Sequence, residues 1–244
     1  MKTKLLSIIA VGTISWCLNS SDGLAQNLNS LPSHLNGFWE IPVGSRSIPQ
    51  ASLVDSISQE KLDEIAFHDA RAIRWCNMLG VPHIMTQQSR PLEIWAGPNH
   101  VAMLVLTKQA SPRYAYLDME QHVDPLIFDP STNGQSIAHW EGDTLVVDTI
   151  GFSGDKGGLA IPGGGFRTEQ SRLLERFTLI DDETLSIVST WTDPGVFAEP
   201  HTYEIRYKRL PDSYQPPPFI DCNSDDEVRA RFLEEVWGGP GSLD

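Results

Sequence analysis

Asp148 is a carboxylate in a stretch that otherwise reads as a buried strand, "HWEGDTLVVDTIGF" at residues 139–152. In a strand it shares a face with Val146 and Ile150, while Leu145, Val147 and Thr149 share the other. Both faces are apolar, so the carboxylate needs a partner or it takes up a proton. Two roles fit such a group. One is an ion pair with an arginine, or backbone N–H bonds at a bulge. The other is acid–base work or ligand contact inside a barrel.

Basic partners are sought on other strand-like segments. Arg176 in "LLERF" and Arg206 in "EIRYK" qualify, and Glu175 and Arg176 must face opposite ways. An inward arginine requires an anion, either Asp148 or a ligand carboxylate. Among seven histidines, His122 in "YLDMEQHVDP" follows Tyr116 and Asp118 at the end of a strand pattern, where a barrel rim would lie. A rim histidine titrates near neutral pH and suits proton transfer, although a solvated loop histidine reads the same way. His68 on the first helix reads as surface. Asp148, His122 and Tyr116 are the catalytic candidates. Arg176, Trp140, Asp118 and Glu175 are the candidates for ligand contact.

Other chemistries lack a signature. The sequence contains no H-E-x-x-H, H-x-H or Cys-x-x-Cys, so no metal site is expected. G-x-S-x-G is absent, and so is the Rossmann glycine pattern, which removes the expectation of a serine nucleophile or a dinucleotide cofactor. The glycine-rich "SGDKGGLAIPGGGF", 153–166, lacks the Gly-Lys-Ser/Thr of a phosphate loop. It reads as a flap over a barrel mouth or as a long disordered hairpin loop.

The elements that would position these groups change character along the chain. Lys2 and Lys4 precede an apolar run to about Leu18, with Gly23 and Ala25 at small-residue positions. This is the layout of a secretory signal spanning residues 1–25, and it is too short to cross a bilayer. No later stretch is apolar enough to cross, so a periplasmic or secreted location follows as the expectation. Residues 26–55 read as an arm, with a first strand beginning at Gly37-Phe38-Trp39.

Residues 57–76 carry Leu62, Ile65, Ala66 and Ile73 at helical spacing, behind a capping box of Ser56 and Gln59. From residue 90 the period becomes two. Strand patterns run through "LEIWA", "HVAMLVLT", "YAYLD", "TLVVDTI", "SRLLERFTLI", "TLSIVSTWT" and "TYEIRYKR", separated by Gly, Pro and Asp turn signals. The best hairpin turns at Asp181–Glu183. No crossover-length helix divides most of these segments. The expected fold is therefore mainly β, an antiparallel meander closing into a lipocalin-like barrel across residues 56–244, with a sandwich as runner-up. A last helix carries Val228, Phe232, Leu233 and Val236 after a Ser224/Glu227 cap.

A formal net charge of −14 makes nucleic acid and anionic lipid poor partners. Once the signal is removed, Cys76 and Cys222 remain and are expected to pair in an oxidising compartment. Their loop would stabilise the fold by about 4–5 kcal/mol on the entropy account. Two separate buried thiols are the alternative.

Taken together, "YLDMEQHVDP", "GQSIAHWEGDTLVVDTIGF", "LLERFTLIDDETLSIVSTWTDPGVF" and the cysteine of "DCNSDD" resemble a family of exported bacterial β-rich proteins of uncharacterised activity. Its most specific motif is W-E-G-D-T-L-V-V-D-T. The resemblance covers about residues 70–226 and implies export and a β-rich fold. The matching positions are Asp118, His122, Trp140, Glu141, Asp143, Asp148, Glu175, Arg176, Asp193 and Cys222. The chain departs from the pattern at Val123-Asp124 before Pro125, at Arg172-Leu173-Leu174, where the family often has a His, and at Pro200-His201, where it often has Pro-Trp.

Three functions follow as expectations. The first is a cofactor-independent enzyme of lyase, hydratase, isomerase or cyclase type, acting on a small, partly apolar molecule. The second is a lipocalin-like binding protein using the same pocket. The third, weaker option is an envelope-associated interaction module. Oligomeric state is open.

Overall fold

The computed structural model describes residues 34–216, except 89, 125, 126, 156 and 157. The anticipated last helix, the signal segment and Cys222 lie outside the described residues, and so does the expected pairing of Cys76 with Cys222.

Nine strands close into one barrel in chain order. They are β1 (Gly37–Glu40), β2 (Leu92–Ala96), β3 (His100–Val105), β4 (Arg113–Tyr116), β5 (Gln135–Glu141), β6 (Thr144–Ile150), β7 (Arg172–Asp181), β8 (Thr184–Thr192) and β9 (His201–Arg209). β1, anticipated within the arm, closes the barrel by pairing with β2 on one side and β9 on the other. One joint breaks the expected antiparallel meander, because β4 and β5 pair in parallel through Ala115↔Ser136 and Tyr116↔Ile137 only. Parallel neighbours need a long return connection, and residues 117–134 provide it across the outside of the wall.

Alternation fixes what faces inward. Leu173, Glu175 and Phe177 of β7 are buried, as are Leu185, Ile187, Ser189 and Trp191 of β8 and Tyr203, Ile205 and Tyr207 of β9. With Trp39, Leu145 and Val147 they fill the barrel with side chains, as narrow barrels generally are. Each large apolar side chain buried this way contributes about 1.5–3 kcal/mol.

The helix α1 spans Gln59–Arg74, and its cap is Ser58, whose hydroxyl accepts from the Lys61 N–H, rather than Ser56. Its buried stripe also differs from the expected one. Ile65, Asp69 and Ala72 are buried, whereas Ala66 and Ile73 are exposed. Asp69 takes a core position because its two carboxylate oxygens accept the Leu159 and Ala160 N–H groups, both at 2.8 Å. The glycine-rich segment is thereby docked on α1, with Leu159, Ile161 and Phe166 buried. At the other end of α1, the Gln109 amide donates to the carbonyls of Ala72 and Ile73 in the last turn and of Asn77 just beyond it. Among the described residues, no helix is long and apolar enough to cross a membrane.

One end of the barrel is covered by residues 81–86, where Val81, Ile84 and Met85 are buried. Tyr207 donates from its hydroxyl to the Met85 carbonyl, and Arg46 donates to the Thr86 carbonyl at 2.5 Å. Arg167, fully buried, donates to the carbonyls of Val81 and Thr132. Burial lowers this guanidinium to about 10, against the opposing pull of Asp69.

Candidate functional site

Two polar clusters and one cleft meet around the parallel joint, and they use different faces of the same strands.

The outer cluster centres on Asp148. On β6, Leu145, Val147 and Thr149 point inward, so Asp148 projects from the outer face and is half-buried there. Its partner is Arg172, the first residue of β7, instead of the expected Arg176 or Arg206. Arg172 grips both carboxylate oxygens, Nε to Oδ1 at 2.7 Å and Nη2 to Oδ2 at 2.6 Å. His122, arriving from the 117–134 crossover, places Nε2 3.2 Å from Asp148 Oδ2 and Nδ1 3.1 Å from Gln135 Oε1. The Gln135 oxygen also accepts the Val123 N–H at 2.8 Å, which fixes it as the acceptor end of the amide. The imidazole therefore faces one acceptor at each ring nitrogen. Burial pushes the Asp148 carboxyl up, but the hydrogen bonds from Arg172 and His122 outweigh it and hold the group below the usual carboxylate range.

The inner cluster was only half visible in the sequence. Of the pair Glu175 and Arg176, Glu175 is the inward member, and its partner is Arg113 on β4, which sequence reasoning missed. Arg113 Nη2 donates to Glu175 Oε2 at 2.5 Å and to Thr149 Oγ1 at 2.7 Å, while Nε donates to Ser136 Oγ at 3.2 Å. Ser136 and Thr149 bond each other at 2.8 Å. Arg113 and Glu175 are 2% and 1% exposed, so the pair is desolvated on all sides. The signal for Arg113 was its alternation with Ala115, the buried phase of β4. It was masked because Tyr114 and Tyr116 on the other phase also look like core residues. Beside Glu175, Ser189, Tyr203 and Tyr207, the remaining lumen cavity measures about 10 Å³, room for about one water at most. Burial drives the hydroxyls of Tyr203 and Tyr207 far above their ordinary range, so both stay protonated.

The cleft lies between β4 and the crossover, where β4 and β5 diverge beyond their two paired positions. It measures about 510 Å³, within the range of small-molecule sites. Tyr114 and Tyr116 form one wall, and Met119, Val123 and Phe128 of the crossover form the roof. Arg113, Asn133, Gln135 and Ser136 supply polar lining. Phe128 packs over Gly151, whose φ of +70° and missing side chain make the room; a Cβ there would sit 3.0 Å from the ring.

The remaining candidates fall elsewhere. Tyr116 stands in register with Ile137, which pairs with Asp148, so it lies about 10 Å from the carboxylate, two strand spacings along the wall. Arg176 pairs on the surface with Glu141 at 2.8 Å, and this bond lowers the Glu141 carboxyl. Arg206 pairs with Glu204 on its own strand. Trp140 packs against the His34 ring at 5.5 Å, away from the cleft, and Asp118 is exposed on the crossover. His68 is half-buried.

No protein-family model matches the sequence, and no curated protein matches it either. The likeness drawn from the four quoted segments therefore rests on their residues alone.

Proposed function

We propose that the protein is an exported binding protein for a small, partly apolar molecule, which it holds in the cleft between β4 and the 117–134 crossover. The carrying observation is that cleft of about 510 Å³, lined by Tyr114 and Tyr116 on one side and by Met119, Val123 and Phe128 of the crossover on the other. Export is supported by the layout of residues 1–25. The barrel acts as a lipocalin-like scaffold, with the ligand in its wall, because packed side chains occupy the lumen. The acid–base residues suit this reading better than turnover. Both nitrogens of His122 are engaged, and Asp148 is clamped at both oxygens by Arg172. Their evident work is to fasten the crossover to the outer wall, which fixes the roof of the cleft.

The test is ligand-observed NMR with a panel of small aromatic compounds on the wild type and on Met119→Trp. The tryptophan is expected to fill the cleft and abolish binding while the circular dichroism spectrum stays unchanged. A folded Met119→Trp that binds as the wild type does, or a wild type that binds nothing, overturns the reading.

A second reading, a proton-transfer enzyme of lyase or isomerase type, is supported by one contact. Gln135 lines the cleft and also holds His122. A ligand that draws the Gln135 amide away would release Nδ1 of an imidazole already backed by Asp148. Turnover abolished in folded His122→Ala and Asp148→Asn variants would favour it over binding alone.

A further inference from the structure

The charges around the cleft are one-sided. Among the described residues, its lining holds two charged side chains, Arg113 and Asp129. Arg113 is 2% exposed and spent on Glu175 inside the wall, so it offers a ligand no free charge. Asp129 is exposed, and it makes no hydrogen bond or ion pair among the described residues. The crossover that covers the cleft, residues 117–134, also carries Asp118, Glu120 and Asp124, and no lysine or arginine. Its one histidine, His122, is turned to Asp148 and Gln135. Arg172 is likewise committed to both Asp148 oxygens.

Aromatic rings supply the other half of the chemistry. Tyr114 and Tyr116 alternate with the buried Arg113 and Ala115, so both project from the outer wall, and they are 44% and 39% exposed. With Phe128 of the crossover they place three rings around a cleft of about 510 Å³. The face of an aromatic ring is negative, and a cation within about 6 Å of the ring centre is drawn to it. Apolar walls beside carboxylates focus that attraction and raise the local concentration of cations. An anion meets the opposite field, and a neutral ligand gains only from apolar burial.

Resting on the binding reading above, we propose that the ligand is an organic cation, an ammonium group carried on a small ring-bearing body. The ammonium lies against the rings of Tyr114 and Tyr116, with Asp129 as its counter-charge. The body lies beneath Met119 and Phe128, where apolar burial and aromatic contact hold it. The chain as a whole favours the same choice, since its formal net charge of −14 steers cations toward it and anions away.

Three probes differ only in the end group of a phenylethyl chain: 2-phenylethylammonium is a cation, 2-phenylethanol is neutral and 3-phenylpropionate is an anion. Isothermal titration on the intact protein is expected to rank the ammonium first, by about tenfold over the alcohol, with the propionate weakest. Added salt should narrow that gap. Asp129→Asn, at an exposed site, should shrink the ammonium-to-alcohol ratio about threefold. Tyr114→Leu, which keeps an apolar wall but removes a ring, should shrink it by about the same factor while the circular dichroism spectrum stays unchanged. If the leucine variant does not fold, the wild-type ranking and Asp129→Asn still decide. A ratio of one on the wild type, tighter binding of the propionate, or a ratio that neither variant moves overturns the cation assignment and leaves the binding reading standing. Aromatic compounds that are lost in Met119→Trp, with no binding of 2-phenylethylammonium, do the same. Absence of any cleft ligand overturns both.

Discussion

Asp148→Asn isolates the work of the outer cluster, because it keeps the shape of the side chain and removes its charge. Two contributions are lost. The bidentate pair with Arg172 involves a guanidinium whose side chain is 60% exposed, so solvent discounts it to about 0.2–1 kcal/mol. The contact with His122 is more sheltered, the two side chains being 14% and 16% exposed, and a hydrogen bond to a charged group there contributes about 1.5 kcal/mol at most once Asn keeps one acceptor. The expected loss is about 1–2 kcal/mol, or about 2–8 °C in Tm for a domain of this size. Because the folded carboxyl lies below its unfolded value of about 3.9, the stabilisation is complete above that pH and is lost as pH falls through the folded pKa. Urea denaturation of wild type and variant should show the full gap at pH 7 and a shrinking gap below about pH 4. The 117–134 crossover, with its outer staple loosened, should also be nicked faster by a protease at pH 7. A double cycle with Arg172→Ala reports the pair directly. A gap that is absent at pH 7, or equally large at pH 3, refutes the assignment of Asp148 as an ionised clasp.

Glu175→Gln strands the Arg113 charge inside the barrel and should cost about 3–5 kcal/mol by urea midpoint; adding Arg113→Met to it should recover part of that loss, since an apolar pair is tolerated better than a lone ion. Gly134→Ala must force a left-handed φ of +66° and push a Cβ to 2.6 Å from the Ile150 carbonyl oxygen and 2.7 Å from Thr149 Cγ2. Gly142→Ala has a similar φ of +61° but nothing within 4 Å, so it should cost only about 1–2 kcal/mol, and Gly134→Ala clearly more. Equal Tm losses in the two alanine variants would show that close packing at the parallel joint contributes nothing.

The barrel was legible because its strands alternate cleanly. Phe177, Ile187, Trp191 and Ile205 sit on the buried phase, and the Asp181–Glu183 turn makes their hairpin local. The need of Asp148 for a partner was legible too, since no apolar strand carries a lone carboxylate without one. Which arginine answers it was not, because strand register decides that. Asp148 pairs across from Leu174, so the outward residue two positions earlier, Arg172, reaches it, while Arg176 is carried off toward Glu141. The parallel joint between β4 and β5 was invisible for the same reason. Pairing direction is set by contacts between Ala115, Ser136, Tyr116 and Ile137, and nothing in the "RYAY" segment specifies it. The cleft depends on that joint, so its polar residues, Arg113 and Asn133, could not be gathered from sequence alone.

The mixed topology and the candidate site have a common cause. Eight of the nine joints in this closed barrel are antiparallel. The ninth must route its connection over the outside, and its ladder stops after two residue pairs. A short ladder leaves backbone and side chains apart at Arg113 and Gly134, and the obligatory connection lies over the gap as a roof. An opening and its cover thus arise from one departure in strand direction. The cost is a long crossover with few ladder bonds of its own, and polar side chains hold it down: His122 to Asp148 and Gln135, and the Val123 N–H to Gln135. The acidic residue that looked misplaced in its strand belongs to that fastening, on the outer face, while the inner face of the same strand contributes Thr149 to the cluster around Arg113. Two successive residues of β6 therefore serve opposite faces of the wall, Asp148 fastening the crossover outside and Thr149 holding Arg113 inside, which is why a mid-strand carboxylate pointing away from the lumen still bears on the cleft.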